Sequence, residues 1–255
     1  MTRIILRFYE LFMHALPAKT PVALVSRSVA LAPGRITAAS LSCPYGRVPV
    51  SGGVSGDLSG VDTLRSRPHL YSWQFRLLNP EGAGTSTVRV SLTCMPATAT
   101  TVGRSFQSST RARGKLACPT GFSATGFGWD YPAPQDAFQG FLGWVIRQVE
   151  PGWKIVASDL AYDARSPSGP IHLYGRCVRH QHFERVRFAA SPGKGEYTVE
   201  RRCPRGGTAV GGGFSLGGDQ FLDGFALSTL SSGRWTIFNR GPRVSRVRLT
   251  LVCMS

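Results

Sequence analysis

"CPRGGTAVGGGF", residues 203–214, opens with Cys-Pro-x-Gly, takes a short apolar step, and ends on three glycines before a phenylalanine. Two further versions stand upstream, "CPYGRVPVSGG" from Cys43 and "CPTGFSATGFG" from Cys118. In all three, Pro follows Cys, one glycine sits three residues after Cys, and another sits ten after it, at Gly53, Gly128 and Gly213. A tryptophan lies 30 to 35 residues beyond each Cys, at Trp73, Trp153 and Trp235. Each copy closes on an alternating stretch ending in a second Cys: "TVRVSLTC" to Cys94, "IHLYGRC" to Cys177 and "RVRLTLVC" to Cys253. One order repeated three times makes each copy a supersecondary unit of a repeat architecture.

The residue chemistry predicts the local geometry. Pro suits the second position of a type I turn and Gly the fourth, so Cys-Pro-x-Gly is expected to end one strand and turn the chain. The later glycines suit a bulge or a close backbone approach in the next strand. In the closing strands, period-two alternation places Val88, Val90, Leu92 and Cys94 on one face. Val247, Leu249, Leu251 and Cys253 share a face likewise, as do Ile171, Leu173 and Cys177, while Arg89, Arg176, Arg246 and Arg248 are expected to point outward. Six cysteines allow fifteen pairings. The repeat selects Cys43–Cys94, Cys118–Cys177 and Cys203–Cys253, each tying the start of a unit to its end.

The expected fold is therefore all-β: three pseudo-repeats of a small disulfide-tied antiparallel sheet unit. Short linkers favour contact between the units, with approximate three-fold symmetry, over separate beads. The boundaries read as 1–34, an N-terminal segment with an export sequence in view; 35–95, repeat 1; and 96–113, a Thr/Ser-rich linker. There follow 114–178, repeat 2 with insertions at "PAPQDAFQGFLGW" and "AYDARSPSGP"; 179–195, a linker or extra strand around "FERVRF"; and 196–255, repeat 3.

Composition bounds the rest. The net charge of +16 comes from 30 Lys and Arg against 14 Asp and Glu, and it is spread along the chain. That balance suits phosphate polymers, membrane headgroups or acidic glycans, although an arginine bias also arises from codon usage alone. No Cys-x-x-Cys pair supports a zinc ribbon, and paired cysteines suit an oxidising, extracellular compartment. The first 34 residues have a basic start and two apolar stretches broken by Arg7, Glu10 and Arg27, so an export signal is poorly defined; no stretch reaches membrane-spanning length.

Few constellations carry chemistry. "GGGF" fits neither phosphate-loop nor dinucleotide spacing. "GFSLG" at 213–217 matches a hydrolase elbow, but no histidine follows Ser215. His180 and His182 lack a third metal ligand. The aspartates are more suggestive, since six of eight follow the glycine elements in pairs: Asp57 and Asp62, Asp130 and Asp136, Asp219 and Asp223. Such loops could hold sugar hydroxyls or calcium, against the plainer reading that Asp and Gly make turns. Trp73, Trp153 and Trp235 read as core; Trp129, Tyr131 and Trp144, in the crowded second unit, read as an exposed aromatic surface. Arg201, Arg202, Arg205, Arg240 and Arg243 would suit anionic polymers, yet no nucleic-acid module accompanies them, so nucleic acid is disfavoured.

The Cys-Pro-x-Gly element, "GGGF", the Trp, the "NRGP" turn and the terminal Cys resemble repeats of secreted bacterial proteins. More loosely, the chain is similar to the vitelline membrane outer layer protein I family. That resemblance implies three pseudo-symmetric sheets arranged as a prism and an association with carbohydrate. The leading expectation is a non-enzymatic exported protein binding a glycan or another cell-surface polymer, without a cofactor other than calcium. A structural or protein-interaction module, or an arginine-driven binder of anionic polymers, stands behind it.

Overall fold

The computed structural model describes residues 22–56, 61–106, 114–130, 138–141, 143–149, 152–157, 160–162, 171–179, 183–190, 195–216, 225–229, 234–239 and 247–254. The first unit contains β1 (Ala23–Leu31), β2 (Arg35–Ser42), β3 (Val48–Gly56), β4 (Asp62–His69), β5 (Ser72–Asn79) and β6 (Ser86–Met95). The second contains β7 (Thr98–Phe106), β8 (Gly114–Ala117), β9 (Ser123–Asp130), β10 (Phe138–Phe141), β11 (Gly143–Val149), β12 (Gly152–Ala157), β13 (Leu160–Tyr162) and β14 (Ile171–Arg179). The third contains β15 (Phe183–Ala190), β16 (Gly195–Glu200), β17 (Thr208–Leu216), β18 (Phe225–Thr229), β19 (Arg234–Asn239) and β20 (Val247–Met254). No α-helix occurs among the described residues.

One pairing rule serves every unit. The closing strand lies between the first strand and the strand after Cys-Pro-x-Gly, giving β1-β6-β3, β7-β14-β9 and β15-β20-β17. The Trp-bearing strand lies between its two neighbours, giving β2-β5-β4, β8-β12-β11 and β16-β19-β18. Triplets from successive units then join edge to edge. β4 pairs with β9 and β11 pairs with β17, which makes two six-stranded sheets; β18 lies against β3. The two insertions of the second unit meet each other as the ribbon β10-β13.

Alternation explains the core. In β5, "SWQFRLLN", Trp73, Phe75 and Leu77 point inward, and Gln74 and Arg76 stay partly solvated. They pack on Val88, Val90, Leu92 and Cys94 of β6, with Leu31 and Leu41 completing the cluster. The Trp73 indole is fully buried and donates to the Ser66 hydroxyl at 2.9 Å, which satisfies its one polar atom. Cys43–Cys94, Cys118–Cys177 and Cys203–Cys253 are all formed as expected, and Cys94, Cys177 and Cys253 are buried.

Several expectations need correction. Residues 98–106 are not a linker but β7, an edge strand hydrogen-bonded to β14, and 23–31 of the supposed leader form β1 on β6. The segment around "FERVRF", read as a linker or an extra strand, forms β15 on β20. Each unit therefore begins one strand earlier than its Cys-Pro-x-Gly signal suggests. The turn differs too. Pro is its first residue, accepting from Arg47, Phe122 and Gly207 in the three copies, and glycine is its third, with φ between 72° and 79°. A third position with positive φ is what a type II turn demands, so glycine is there for its backbone. In the third copy Arg205 is left-handed as well (φ 52°).

The units meet through a bulge repeated in each. Opposite the second Cys, β3, β9 and β17 carry an extra residue, at Val50, Thr125 and Val210 respectively, seven positions after the first Cys. The residue after each bulge presses on the bulge carbonyl of another unit. Ser51 donates to Val210 O at 2.8 Å, Gly126 lies on Val50 O and Gly211 lies on Thr125 O. A Cβ at Gly126 or Gly211 would collide with that backbone oxygen, which is why small residues stand there. Unit 1 thus contacts unit 3, unit 2 contacts unit 1 and unit 3 contacts unit 2.

Candidate functional site

A polar seam joins the first two units. Arg65 Nε reaches Asp130 Oδ1 at 2.8 Å and Arg67 Nη1 reaches Asp130 Oδ2 at 3.1 Å. Arg67 also donates to Gln74 Oε1 and to the Tyr174 hydroxyl, and its guanidinium lies 5.7 Å from the Tyr174 ring centroid. Gly128, without a side chain beneath Arg67, permits this close crossing. Asp130 is buried, with both oxygens held by guanidinium groups. Its role is to neutralise two cations, a correction to its reading as an open loop ligand.

Trp129 is corrected likewise. Only 8% exposed, it donates its indole N–H to Thr63 O at 2.8 Å and packs near Phe127, so it belongs to the interior and not to an exposed aromatic surface. Asp62 begins β4 half-buried, opposite Leu78. Trp144 is placed by register opposite Phe214 of β17 and Ala157 of β12. Asp57, Asp136, Asp219, Asp223 and Tyr131 lie outside the described residues, as do His180 and His182. Among the described residues no three His, Cys, Asp or Glu side chains gather as metal ligands.

Arg176 departs most from expectation. It was expected outward, yet it is 4% exposed. Its side chain reaches the first unit, where Nε donates to Pro49 O at 2.7 Å and Nη2 to Leu70 O at 3.4 Å, while Nη1 donates to Thr101 Oγ1 of the neighbouring β7 at 2.8 Å. All those acceptors are neutral. Burial lowers its pKa to about 10, so it remains a cation at neutral pH.

Arg176 forms the floor of a cleft of about 630 Å³. One wall is Gly46–Val48 beyond the first Cys-Pro-x-Gly turn together with the β4–β5 loop; the other is Ala97–Thr101, entering β7. The backbone bond from Cys43 N to Tyr71 O ties the two loops of the first wall together. Leu70 and Tyr71 are 71% and 68% exposed, and Tyr45 next to the cleft is fully exposed. Leu70 is left-handed (φ 47°), at the first position of a two-residue hairpin loop where glycine is the usual choice. Leu70 thus holds a backbone conformation that is costly for a non-glycine residue, with its side chain and that of Tyr71 open to solvent. A second void, lined by Ser51–Val54, Ser66, Gly126 and Trp129 among others, is about 20 Å³, room for one water.

Sequence reading passed over this cleft. "HLYS" carries no glycine to mark its turn, and Thr98–Thr101 lay in a segment read as linker. Compared with known proteins, the chain matches no family model and no curated protein.

Three disulfides fit an extracellular, oxidising setting. No helix among the described residues is long and apolar enough to cross a membrane.

Proposed function

We propose that this is a non-enzymatic exported protein that binds a glycan or another cell-surface polymer in the cleft between its first two units. The observation that carries the reading is Tyr71: an exposed aromatic held beside a strained, exposed Leu70, facing a threonine-lined wall. Aromatic faces take the apolar face of a sugar ring, and hydroxyls at the rim exchange hydrogen bonds with its substituents. The resemblance to vitelline membrane outer layer protein I supports the same ligand class. On this reading the three units close about one approximate three-fold axis at the Val50, Thr125 and Val210 bulges, which supports a rigid frame for loops at its ends.

The test is a glycan array of the whole protein, run with and without calcium, followed by Tyr71→Ala. Binding to a defined saccharide set that falls at least about tenfold in Tyr71→Ala is expected, as for a lost stacking contact. No saccharide bound in either condition, or binding untouched by Tyr71→Ala, overturns it.

A further inference from the structure

We infer that the ligand of this cleft is an acidic glycan, whose carboxylate is received by Arg176. The inference rests on the glycan reading of the cleft and names the chemistry of its ligand.

Three observations converge. First, the position before the second Cys is buried in all three units, and the fold fills it with Thr93 in the first and Val252 in the third. Both are small and neither is charged. Arg176 is thus not a requirement of the repeated architecture, which is satisfied without charge twice. Second, a guanidinium carries five N–H groups, and Arg176 donates three, all to neutral acceptors. No carboxylate among the described residues pairs with it. A cation taken out of water without a counter-charge is costly, and the expense is recovered when an anion arrives. Third, this cation lines the cleft whose two walls carry Thr98, Thr100 and Thr101 on one side and Tyr71 on the other.

The remaining N–H groups belong one to each terminal nitrogen, a fork that matches the two oxygens of a planar carboxylate. A uronate residue supplies that group on a ring whose face can stack on Tyr71 and whose hydroxyls meet the threonines. Phosphate polymers fit less well, since sequence-independent affinity for them draws on many surface phosphate contacts and not on one enclosed charge.

The experiment uses the full protein and isothermal titration with three probes: an oligouronate, the same oligomer reduced at its carboxyl groups to the neutral sugar, and a sulfated oligosaccharide of matched length. The oligouronate is expected to bind at least about tenfold more tightly than its reduced form, the range of a charge-assisted hydrogen bond. Arg176→Met should remove that preference and leave weak binding of the neutral form. Because Arg176→Met disturbs a buried position, Thr101→Val serves as a second variant. Thr101 is exposed, and its loss removes the acceptor that orients Nη1, so the preference should fall several-fold with thermal stability preserved. Arg187→Gln, an exposed charge on β15, should change nothing.

Equal binding of acidic and neutral oligomers overturns the acidic ligand and leaves the glycan reading standing. Binding of uronate and sulfated probes alike, unchanged in Arg176→Met and Thr101→Val, reports only the general charge of the protein and also overturns it. If none of the three probes binds while the array identifies another saccharide, the acidic ligand falls alone; if the array is blank as well, both readings fall.

Discussion

The Thr125 hydroxyl donates to the carbonyl oxygen of Val50 at 3.0 Å, across 75 residues of chain. Both residues are the bulge of their own unit, and both lie opposite the cysteine that closes it. The irregularity in each ladder thus frees a carbonyl from its own strand pairing and offers it to the neighbouring unit. A bulge leaves backbone groups unpaired, and buried ones must find partners. Here the partner is another copy of the same motif, so local pairing and unit-to-unit contact are solved by the same residue.

The first prediction concerns that junction. Gly211→Ala would drive a Cβ into the Thr125 carbonyl, backbone against backbone, where neither side can swing away. A loss of about 2–3 kcal/mol in a urea melt is expected, as for overpacking of a tight core. Gly84→Ala, with nothing near its Cβ, should stay within about 0.5 kcal/mol of wild type. Equal behaviour of the two variants would show that the junction does not restrain the units.

Asp130→Ala leaves Arg65 and Arg67 facing each other without their shared carboxylate. The arginine side chains are about a quarter exposed, at 26% and 25%, so water softens the penalty. A destabilisation of about 1–3 kcal/mol is expected, and adding Arg65→Met should recover part of it because one uncompensated charge is removed. Chemical denaturation of the single and double variants checks this, and a double variant worse than the sum of its parts would contradict it.

Trp73→Phe removes the indole N–H and leaves the Ser66 hydroxyl buried without its donor. Together with the lost volume, the cost should be about 2–4 kcal/mol. Ser66→Ala in the same background should add little. A double-mutant cycle measures this coupling, and full additivity would show that the hydrogen bond contributes nothing.

Peptide mapping of the unreduced protein should recover only the three bonds within units. Replacing Cys43 and Cys94 together by Ala opens a loop with sequence separation 51, worth up to about 4 kcal/mol in the chain-entropy model. A thermal melt should show that loss, and an unchanged melting temperature would mean the bond is not a stabilising element.

Leu70→Gly separates stability from binding. Glycine accepts φ 47° without strain, so the variant should match wild type or gain up to about 1 kcal/mol, offset in part by its looser unfolded chain. Saccharide binding should fall several-fold, since the apolar lip beside Tyr71 is gone. A variant that is destabilised and binds normally would refute the idea that the leucine is kept for its surface.

Much of the architecture is legible along the chain because it depends on near neighbours in sequence. Cys-Pro-x-Gly turns, alternating closing strands and the threefold recurrence of Cys spacing identified an all-β fold and its disulfides from residue identity alone. The first strands of the first two units were hidden: "ALVSRSVAL" and "TATTVGRSF" are edge strands paired on one side only, and edge positions tolerate polar and small residues that blur the alternation.

The site was hidden for a different reason. Asp130 looked like surface chemistry because aspartates after glycines usually sit in turns, Trp129 because it stands beside the aromatic-rich insertion of the second unit, and Arg176 looked solvated because it alternates with buried residues on its own strand. Which side of a strand is solvent depends on what covers it, and that cover comes from distant parts of the chain. Arg176 of β14 is covered because Pro49, Leu70 and Thr101 arrive from elsewhere in the chain. Period and spacing are local properties, so the sequence alone determined the unit and its cross-links. The meeting of one unit with the next, and hence the enclosed arginine beneath an exposed tyrosine, was decided only by tertiary packing, where burial is set by distant residues that no local pattern encodes.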